Sequence, residues 1–209
     1  MSMLRDGTTE EHARAERGLF QRALLRGTVP QAVYAAYLSQ LLLVHEALED
    51  AIARCPEQSI RRVVTRAQYQ VGHLLADLGR VGELHPQEPL PATRSLLETI
   101  RGEIDAATLA GFLYVLEGSK NGNAFVARAV RGSLGLEPGS GDLYLDPHGE
   151  EQRVVWSEFK NRMDAEGWLM DERRRMLSAA KEMYAAIISI SAMLAADLNL
   201  NAEPDGARR

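Results

Sequence analysis

Two residues near the start of the chain have the types and spacing of a metal-binding pair. His12 and Glu16 stand four residues apart in the segment TTEEHARAE, and residues at that spacing share one face of a helix. A neutral imidazole is a common metal ligand, and its second ring nitrogen usually donates to a carboxylate or carbonyl that fixes the tautomer. A solvated surface pair has the same spacing. The pattern therefore nominates His12 as a metal ligand oriented by Glu16 and leaves the surface pair as the alternative.

A pair of glycines in the second half of the chain could let a backbone approach a flat ligand. Gly118 and Gly122 lie four residues apart in GSKNGN, with apolar residues on both sides. A glycine inside a helix costs about 1 kcal/mol relative to alanine, so two of them on one face need a reason. One reason is close contact with a flat molecule, and the other is close helix–helix packing or a simple break. We expect GSKNGN to interrupt its helix.

The other histidines form no recognisable metal motif. His45 and His73 lie in helical sequence, and His85 and His148 lie in loops beside prolines. The chain has no HExxH, and it lacks the paired ExxH motifs of di-metal carboxylate bundles. The methionines of the C-terminal helices are most simply core residues.

Helical periodicity dominates the elements that must position these residues, and strand signals are almost absent. Thr8 and Glu11 have capping-box spacing, Gly27 is a helix stop and Pro30 suits a first turn. The predicted helices run from Thr8 to Gly27, Pro30 to Cys55, Gln58 to Gly79, Ala92 to Arg101, Asp105 to Leu134, Glu151 to Ala165 and Asp171 to Leu198. The fold class is therefore all-α, a single-domain multi-helix bundle of about seven helices. We assign residues 1–198 to that domain and 199–209 to a flexible C-terminal tail.

Composition narrows the class of protein and partner. The 209 residues are 45% hydrophobic and carry a formal net charge of -5, so nucleic acid is not an expected general partner. Cys55 is the only cysteine, which excludes an internal disulfide. The start of the chain has no apolar run of signal-peptide length, and AAIISISAML is too short to span a bilayer. We expect a cytoplasmic protein that is not membrane-bound.

Several segments together resemble one family. LRDGTTEEHARAE, beginning at Leu4, resembles the opening of heme oxygenases. YVLEGSKNGNAF, beginning at Tyr114, resembles their distal-helix signature in the version typical of bacterial enzymes. AAYLSQLLLVHEALEDAI resembles their second helix, and FKNRM resembles the region that supplies a basic residue to the heme propionates. The match runs in order along nearly the whole chain.

The resemblance implies a heme oxygenase-like fold, in which heme b lies between a proximal and a distal helix. His12 then matches the proximal iron ligand and Glu16 the carboxylate that orients it. Gly118 and Gly122 match the distal-helix glycines whose backbone lies against the heme.

The resemblance also assigns roles to four more positions. Arg5 and Lys160 match basic residues that hold the propionates. Ser119 follows the first distal glycine, where many members have an aspartate that organises water around bound oxygen, and bacterial members often have serine. It is therefore grouped with Gly118 and Gly122 as the catalytic distal face. Asn123 stands where the family usually has another glycine, so its side chain would either crowd the heme or add a hydrogen bond near it.

The activity that the resemblance implies is oxidative cleavage of heme to biliverdin, CO and ferrous iron. Heme is both cofactor and substrate, O2 is the oxidant, and electrons come from an external donor such as a ferredoxin or a reductase. Two uses of the products stay open, a bacteriophytochrome pathway and iron supply.

Three other functions remain compatible with the sequence. The first is a non-catalytic heme-binding or sensing protein with the same fold. The second is a different enzyme on a related bundle, acting on a small aromatic or quinone substrate and not needing His12 as an iron ligand. The third is a purely structural bundle, which accounts for the helices but not for the joint appearance of the histidine and glycine motifs.

Overall fold

The computed structural model describes residues 1–82 and 88–197, and within those ranges it contains ten α-helices and no strand. The helices are α1 (Ser2–Gly7), α2 (Thr9–Glu16), α3 (Leu19–Arg26), α4 (Gln31–Arg54), α5 (Gln58–Val63), α6 (Val71–Val81), α7 (Pro91–Arg101), α8 (Ala106–Leu134), α9 (Gln152–Ala165) and α10 (Met170–Asp197). Two single 3-10 turns, Arg66–Gln68 and Gly149–Glu151, precede α6 and α9. The predicted all-α class is confirmed.

The three longest helices, α4, α8 and α10, form the centre of the bundle. Helices α8 and α10 pack closely at Gly111, where an added Cβ would lie 2.2 Å from the backbone oxygen of Met176. Only a hydrogen atom fits in that space, so Gly111 determines how closely the two helices approach. The helix α8 begins as predicted at Asp105, whose carboxylate accepts a hydrogen bond from the Thr108 backbone N–H at 2.8 Å.

The buried side chains form two clusters that meet along α4, α8 and α10. One cluster contains the first half of α8, with Phe112 and Leu116, together with residues of α5, α7 and α9. The other contains the last part of α8, with Val126, together with residues of α3, α6 and the loop that carries Tyr144. Ile187 of α10 packs against both clusters. Their junction is where the candidate site lies.

The N-terminal helix differs from its prediction. The Thr8 hydroxyl donates to the Leu4 carbonyl at 2.7 Å and makes no capping bond to α2, so the predicted capping box is wrong. The reason is tertiary: Leu4 is buried in the core and holds an additional short helix, α1, in front of Thr8. The predicted helix from Thr8 to Gly27 is also divided at Arg17 and Gly18, although Gly27 ends α3 as expected, with a φ of 63°.

Two further boundaries are corrected. The predicted helix from Gln58 to Gly79 is divided because Val64 is extended and Thr65 forms a capping box with Gln68. Helix α8 runs through GSKNGN without interruption, because burial on both sides of that segment outweighs the low helix propensity of glycine. These divisions, together with α1, account for ten helices instead of about seven. His85 and the predicted tail 199–209 lie outside the described residues.

One helix of the described chain, Met170–Ala196, is long and apolar enough by length and composition to cross a membrane. This finding is weak, because core helices of soluble proteins pass the same test. The segment packs along α8, and Met183 and Ile190 are fully buried within the bundle. The expectation of a cytoplasmic protein that is not membrane-bound stays a prediction.

Candidate functional site

A cavity of about 460 Å³ lies at the junction of the two core clusters. Its volume falls in the range of about 300–1,000 Å³ that is usual for small-molecule sites. Helices α2, α3, α4, α8 and α10 and the loop that carries Tyr144 all contribute to its wall. The residues that line it are His12, Ala15, Glu16, Gln21, Leu25, Tyr37, Leu41, Val115, Leu116, Gly118, Ser119, Asn121, Gly122, Asn123, Val126, Tyr144, Tyr184 and Ile187. Six of the residues nominated from the sequence are therefore brought together, although they come from segments about a hundred positions apart.

His12 presents its imidazole at this wall from α2. Its side chain is 56% exposed, and its Nδ1 lies 3.7 Å from Oε2 of Glu16, which is an ion-pair distance and too long for a hydrogen bond. The edge of the His12 ring meets Tyr184 of α10, with the ring centroids 6.1 Å apart. Among the described residues, none forms a hydrogen bond with Nε2 of His12. The geometry leaves that nitrogen available to a ligand, with Glu16 beside the other one.

The helix that carries this imidazole is held by two contacts near its N-terminal end. The Thr8 hydroxyl bond to Leu4 ties α2 to α1, and Lys181 of α10 lies 3.0 Å from Oε1 of Glu11. These contacts fix α2 against α10 without using His12 itself.

The two glycines of α8 behave differently. An added Cβ at Gly118 would lie 3.5 Å from the indole of Trp156, an ordinary contact distance, whereas one at Gly122 would meet nothing within 4 Å. Gly118 therefore lines the cavity while also packing against α9, and Gly122 opens onto free space. The backbone around Gly122 is the part of α8 that a flat ligand can approach.

The hydroxyl of Ser119 is already used within the helix. It donates to the Leu116 carbonyl at 2.8 Å, and the nearby Asn121 amide donates to the Gly118 carbonyl at 3.0 Å. Such local bonds are a common way for polar side chains in helices to satisfy themselves. Ser119 can still accept a hydrogen bond at the cavity, but in this conformation it has no proton to donate there.

The two basic residues that the resemblance assigns to propionates do not line the cavity in the described structure. Arg5 is 76% exposed, and its Nε donates to Asp6 at 2.9 Å. Lys160 lies over the Trp156 indole, 5.3 Å from the ring centroid, and that indole stands 5.5 Å from Tyr114. Burial raises the pKa of Tyr114, and the nearby Arg5 opposes that shift. Lys160 thus adjoins the aromatic pair packed behind Gly118, and the role of both cations toward a ligand stays a prediction.

Sequence reasoning missed the tyrosines of the wall. Tyr144 belongs to a loop without periodicity, and only the fold places it at the cavity. Its backbone N–H donates to Asp77 of α6 at 2.8 Å, and that of Leu143 donates to the same carboxylate at 2.9 Å. Burial raises the pKa of Asp77 to about 6, against the lowering effect of these backbone bonds. The one signal in the sequence for this contact between helix and loop was Asp77, an acidic residue inside an otherwise amphipathic helix.

Comparison with known proteins decides the family. The sequence profile of the family described as heme oxygenase matches residues 1–192. The chain belongs to the heme oxygenase family. No curated protein is similar enough in sequence to count as a match.

Solved heme oxygenases share this fold at low sequence identity. A heme oxygenase from Leptospira interrogans is 24% identical, with a TM-score of 0.83 over 92% of this chain and 98% of that one. Heme oxygenase-1 from the cyanobacterium Synechocystis, in complex with heme, is 17% identical, with a TM-score of 0.85 over 95% and 93%. A domain of unknown function from Shewanella denitrificans is 15% identical, with a TM-score of 0.71 over 100% and 97%. At such identities the likeness concerns the fold, and the chemistry of this family member has to be argued from its own cavity.

Proposed function

We propose that this chain is a heme oxygenase in the catalytic sense, cleaving heme to biliverdin, CO and ferrous iron with O2 and electrons from an external donor such as a ferredoxin or a reductase. Family membership supports this proposal, as do the solved relatives named as complexes with heme. The observation that carries it is a single cavity with the unbonded Nε2 of His12 on one helix and the open backbone of Gly122 on another.

The residues of the cavity fit such a ligand. Because an added Cβ at Gly122 meets only open space, a flat macrocycle can lie against α8 there. Leu41 and Val126 supply apolar contact area for the macrocycle, and His12 supplies a nitrogen ligand for the iron. When bound, heme supplies both the metal that activates O2 and the porphyrin that is cleaved.

The protein's own groups would then position and shield the reaction. Glu16 would stand beside Nδ1, where its charge favours the tautomer that leaves the lone pair on Nε2 for the metal. Tyr184 packs against the edge of the same ring and restricts its rotation. The two core clusters on either side exclude water from the apolar faces of the cavity. These are positioning roles, as expected where the cofactor carries the chemistry.

The test is a spectroscopic assay on purified protein loaded with hemin and given a ferredoxin system or ascorbate in air. We expect a Soret band that decays as biliverdin absorption appears. A stable Soret band would replace the proposal by a non-catalytic heme-binding or sensing protein, and the absence of any Soret band would overturn both. A loss of the band without biliverdin would point to unselective bleaching.

Replacement of Gly122 by alanine should separate folding from ligand binding. In the free protein the new methyl group meets nothing and improves helix propensity, so the free energy of unfolding should rise by up to about 1 kcal/mol. The same methyl group should lie where the macrocycle approaches α8, lowering hemin affinity at least tenfold, a change of about 1.4 kcal/mol. Urea unfolding and hemin titration measure the two effects.

Gly132→Ala is the matched control for this variant. Gly132 lies in the same helix, is exposed, and would also place a Cβ in open space, but it lies outside the cavity. It should gain stability without losing hemin affinity. Equal hemin affinity in the two variants would contradict the placement of the ligand against Gly122.

A further inference from the structure

A row of buried polar side chains starts at the cavity wall and continues into the core. The hydroxyl of Tyr144, which lines the cavity, lies 3.2 Å from Nε2 of His45 on α4. Behind this pair, Nζ of Lys120 lies 2.5 Å from Oε1 of Glu117. All four residues are at most 2% exposed. Buried ionic and polar groups are costly unless paired, so such an arrangement directly behind a ligand cavity needs an account.

The first two members of the row are both electrically neutral. Burial, followed by the charge of Lys120, lowers the pKa of His45 to about 3. Burial, followed by the charges of Tyr37 and Glu117, raises the pKa of Tyr144 well above its ordinary value. At physiological pH the pair is therefore an imidazole and a phenol, and the lysine cation helps to keep the imidazole uncharged.

A neutral imidazole and a phenol can share their hydrogen bond in two ways. Either the phenol donates to a bare Nε2, or Nε2–H donates to the phenol oxygen. In the second arrangement the phenolic proton is not used by His45, and Tyr144 is one of the residues that line the cavity. The choice of tautomer at His45 thus decides whether the cavity wall offers a hydrogen-bond donor at this point.

Two other polar groups of the wall are already engaged with neighbours. The Ser119 hydroxyl donates to the Leu116 carbonyl. His12 faces Glu16. Tyr144 is the wall hydroxyl that is backed by a buried, neutral base.

We infer that Tyr144 is a hydrogen-bond donor to water or ligand inside the cavity and that His45 in its Nε2–H tautomer is the positioning residue that directs it. This inference rests on the proposed function for its consequence, since it assigns to Tyr144 the ordering of polar species beside bound heme that the resemblance assigned to Ser119. The tautomer itself is a property of the protein without heme.

The first experiment measures His45 in the free protein by ¹⁵N NMR between pH 5 and 9. We expect His45 not to titrate and to carry its proton on Nε2. A proton on Nδ1 would overturn the inference, because the phenol would then donate to His45 and not into the cavity. This result does not depend on heme, so it remains informative even if the proposed function fails.

The second experiment compares Tyr144→Phe with Tyr34→Phe after loading with hemin. Tyr34 is also buried, and its hydroxyl also bonds to the same loop, donating to the Gly141 carbonyl at 2.8 Å. It does not line the cavity, so Tyr34→Phe reproduces the structural cost of losing one buried hydroxyl. The readouts are hemin affinity, the midpoint pH of the acid–alkaline transition in the visible spectrum, and the rate of biliverdin formation.

We expect Tyr144→Phe to keep hemin affinity, to raise the midpoint by about one pH unit and to slow biliverdin formation about tenfold, the size of one lost hydrogen bond to a charged group. Tyr34→Phe should leave the midpoint unchanged. Equal midpoints in the two variants would overturn the inference. A wild-type protein that binds no hemin would overturn the proposed function instead. The NMR measurement, made without heme, would still decide whether the inference about His45 holds.

Discussion

Replacing His12 with alanine is expected to abolish biliverdin formation while leaving the fold intact. The imidazole is more than half exposed and is not part of either core cluster, so the free energy of unfolding should change by no more than about 0.5 kcal/mol. The variant should lose the spectrum of a histidine-ligated heme, because no second histidine lines the cavity in the described structure. Hemin titration, urea unfolding and the turnover assay measure these effects.

Two further measurements make this prediction specific to ligation. Imidazole added to hemin-loaded His12→Ala should restore the lost spectrum by occupying the space that the side chain vacates. Glu16→Gln should keep the ligand but loosen its orientation, lowering activity about 10–100-fold, whereas Glu10→Gln on the same helix should have no effect because Glu10 lies outside the cavity wall. Full activity in His12→Ala would remove the histidine from the proposed mechanism.

The largest expected effect on stability comes from Gly111→Ala. The new Cβ would stand 2.2 Å from the Met176 backbone oxygen and 2.9 Å from the Ala179 Cβ, distances that no side-chain rotation can relieve. Helices α8 and α10 would have to separate, which should cost about 3 kcal/mol, at the upper end of overpacking effects. Thermal or urea unfolding of the free protein measures the loss.

Gly132→Ala again provides the comparison, since it makes the same change in the same helix at a position with open space. It should stabilise the protein by up to about 1 kcal/mol, so the two variants should move the unfolding midpoint in opposite directions. A gain in stability by Gly111→Ala similar to that of Gly132→Ala would mean that the two helices are not held at this separation.

The sequence was informative wherever a local signal and the tertiary environment agree. Gly27, Pro30 and Asp105 mark helix ends that the structure contains, because each acts through its own backbone conformation or cap. Local reasoning failed where contacts between distant parts of the chain decide whether a helix forms or continues. Leu4 stabilises a short helix that a six-residue segment does not predict, and burial on either side keeps α8 continuous through two glycines.

Some residues of the candidate site could likewise be predicted from local signals, and others could not. His12 and Gly122 were nominated because a side-chain type and a spacing point to chemistry by themselves. Tyr144 and His45 could not be paired from the sequence, since they lie 99 positions apart and meet only in the folded chain, where Asp77 helps to hold the loop. Ser119 was nominated by position, but its hydrogen bond to Leu116 depends on the helix staying intact.

The charge of the cavity wall has a consequence for the direction in which a substrate enters. Within the described residues the wall contains one carboxylate, Glu16, and neither lysine nor arginine. An unpaired carboxylate costs several kcal/mol to bury, so a heme bound as proposed would keep the edge that bears its two propionates in solvent. The opposite edge would then enter first. The orientation of a bound macrocycle would thereby be restricted, and the meso carbon that is cleaved would depend on which substituents of the ring the cavity excludes.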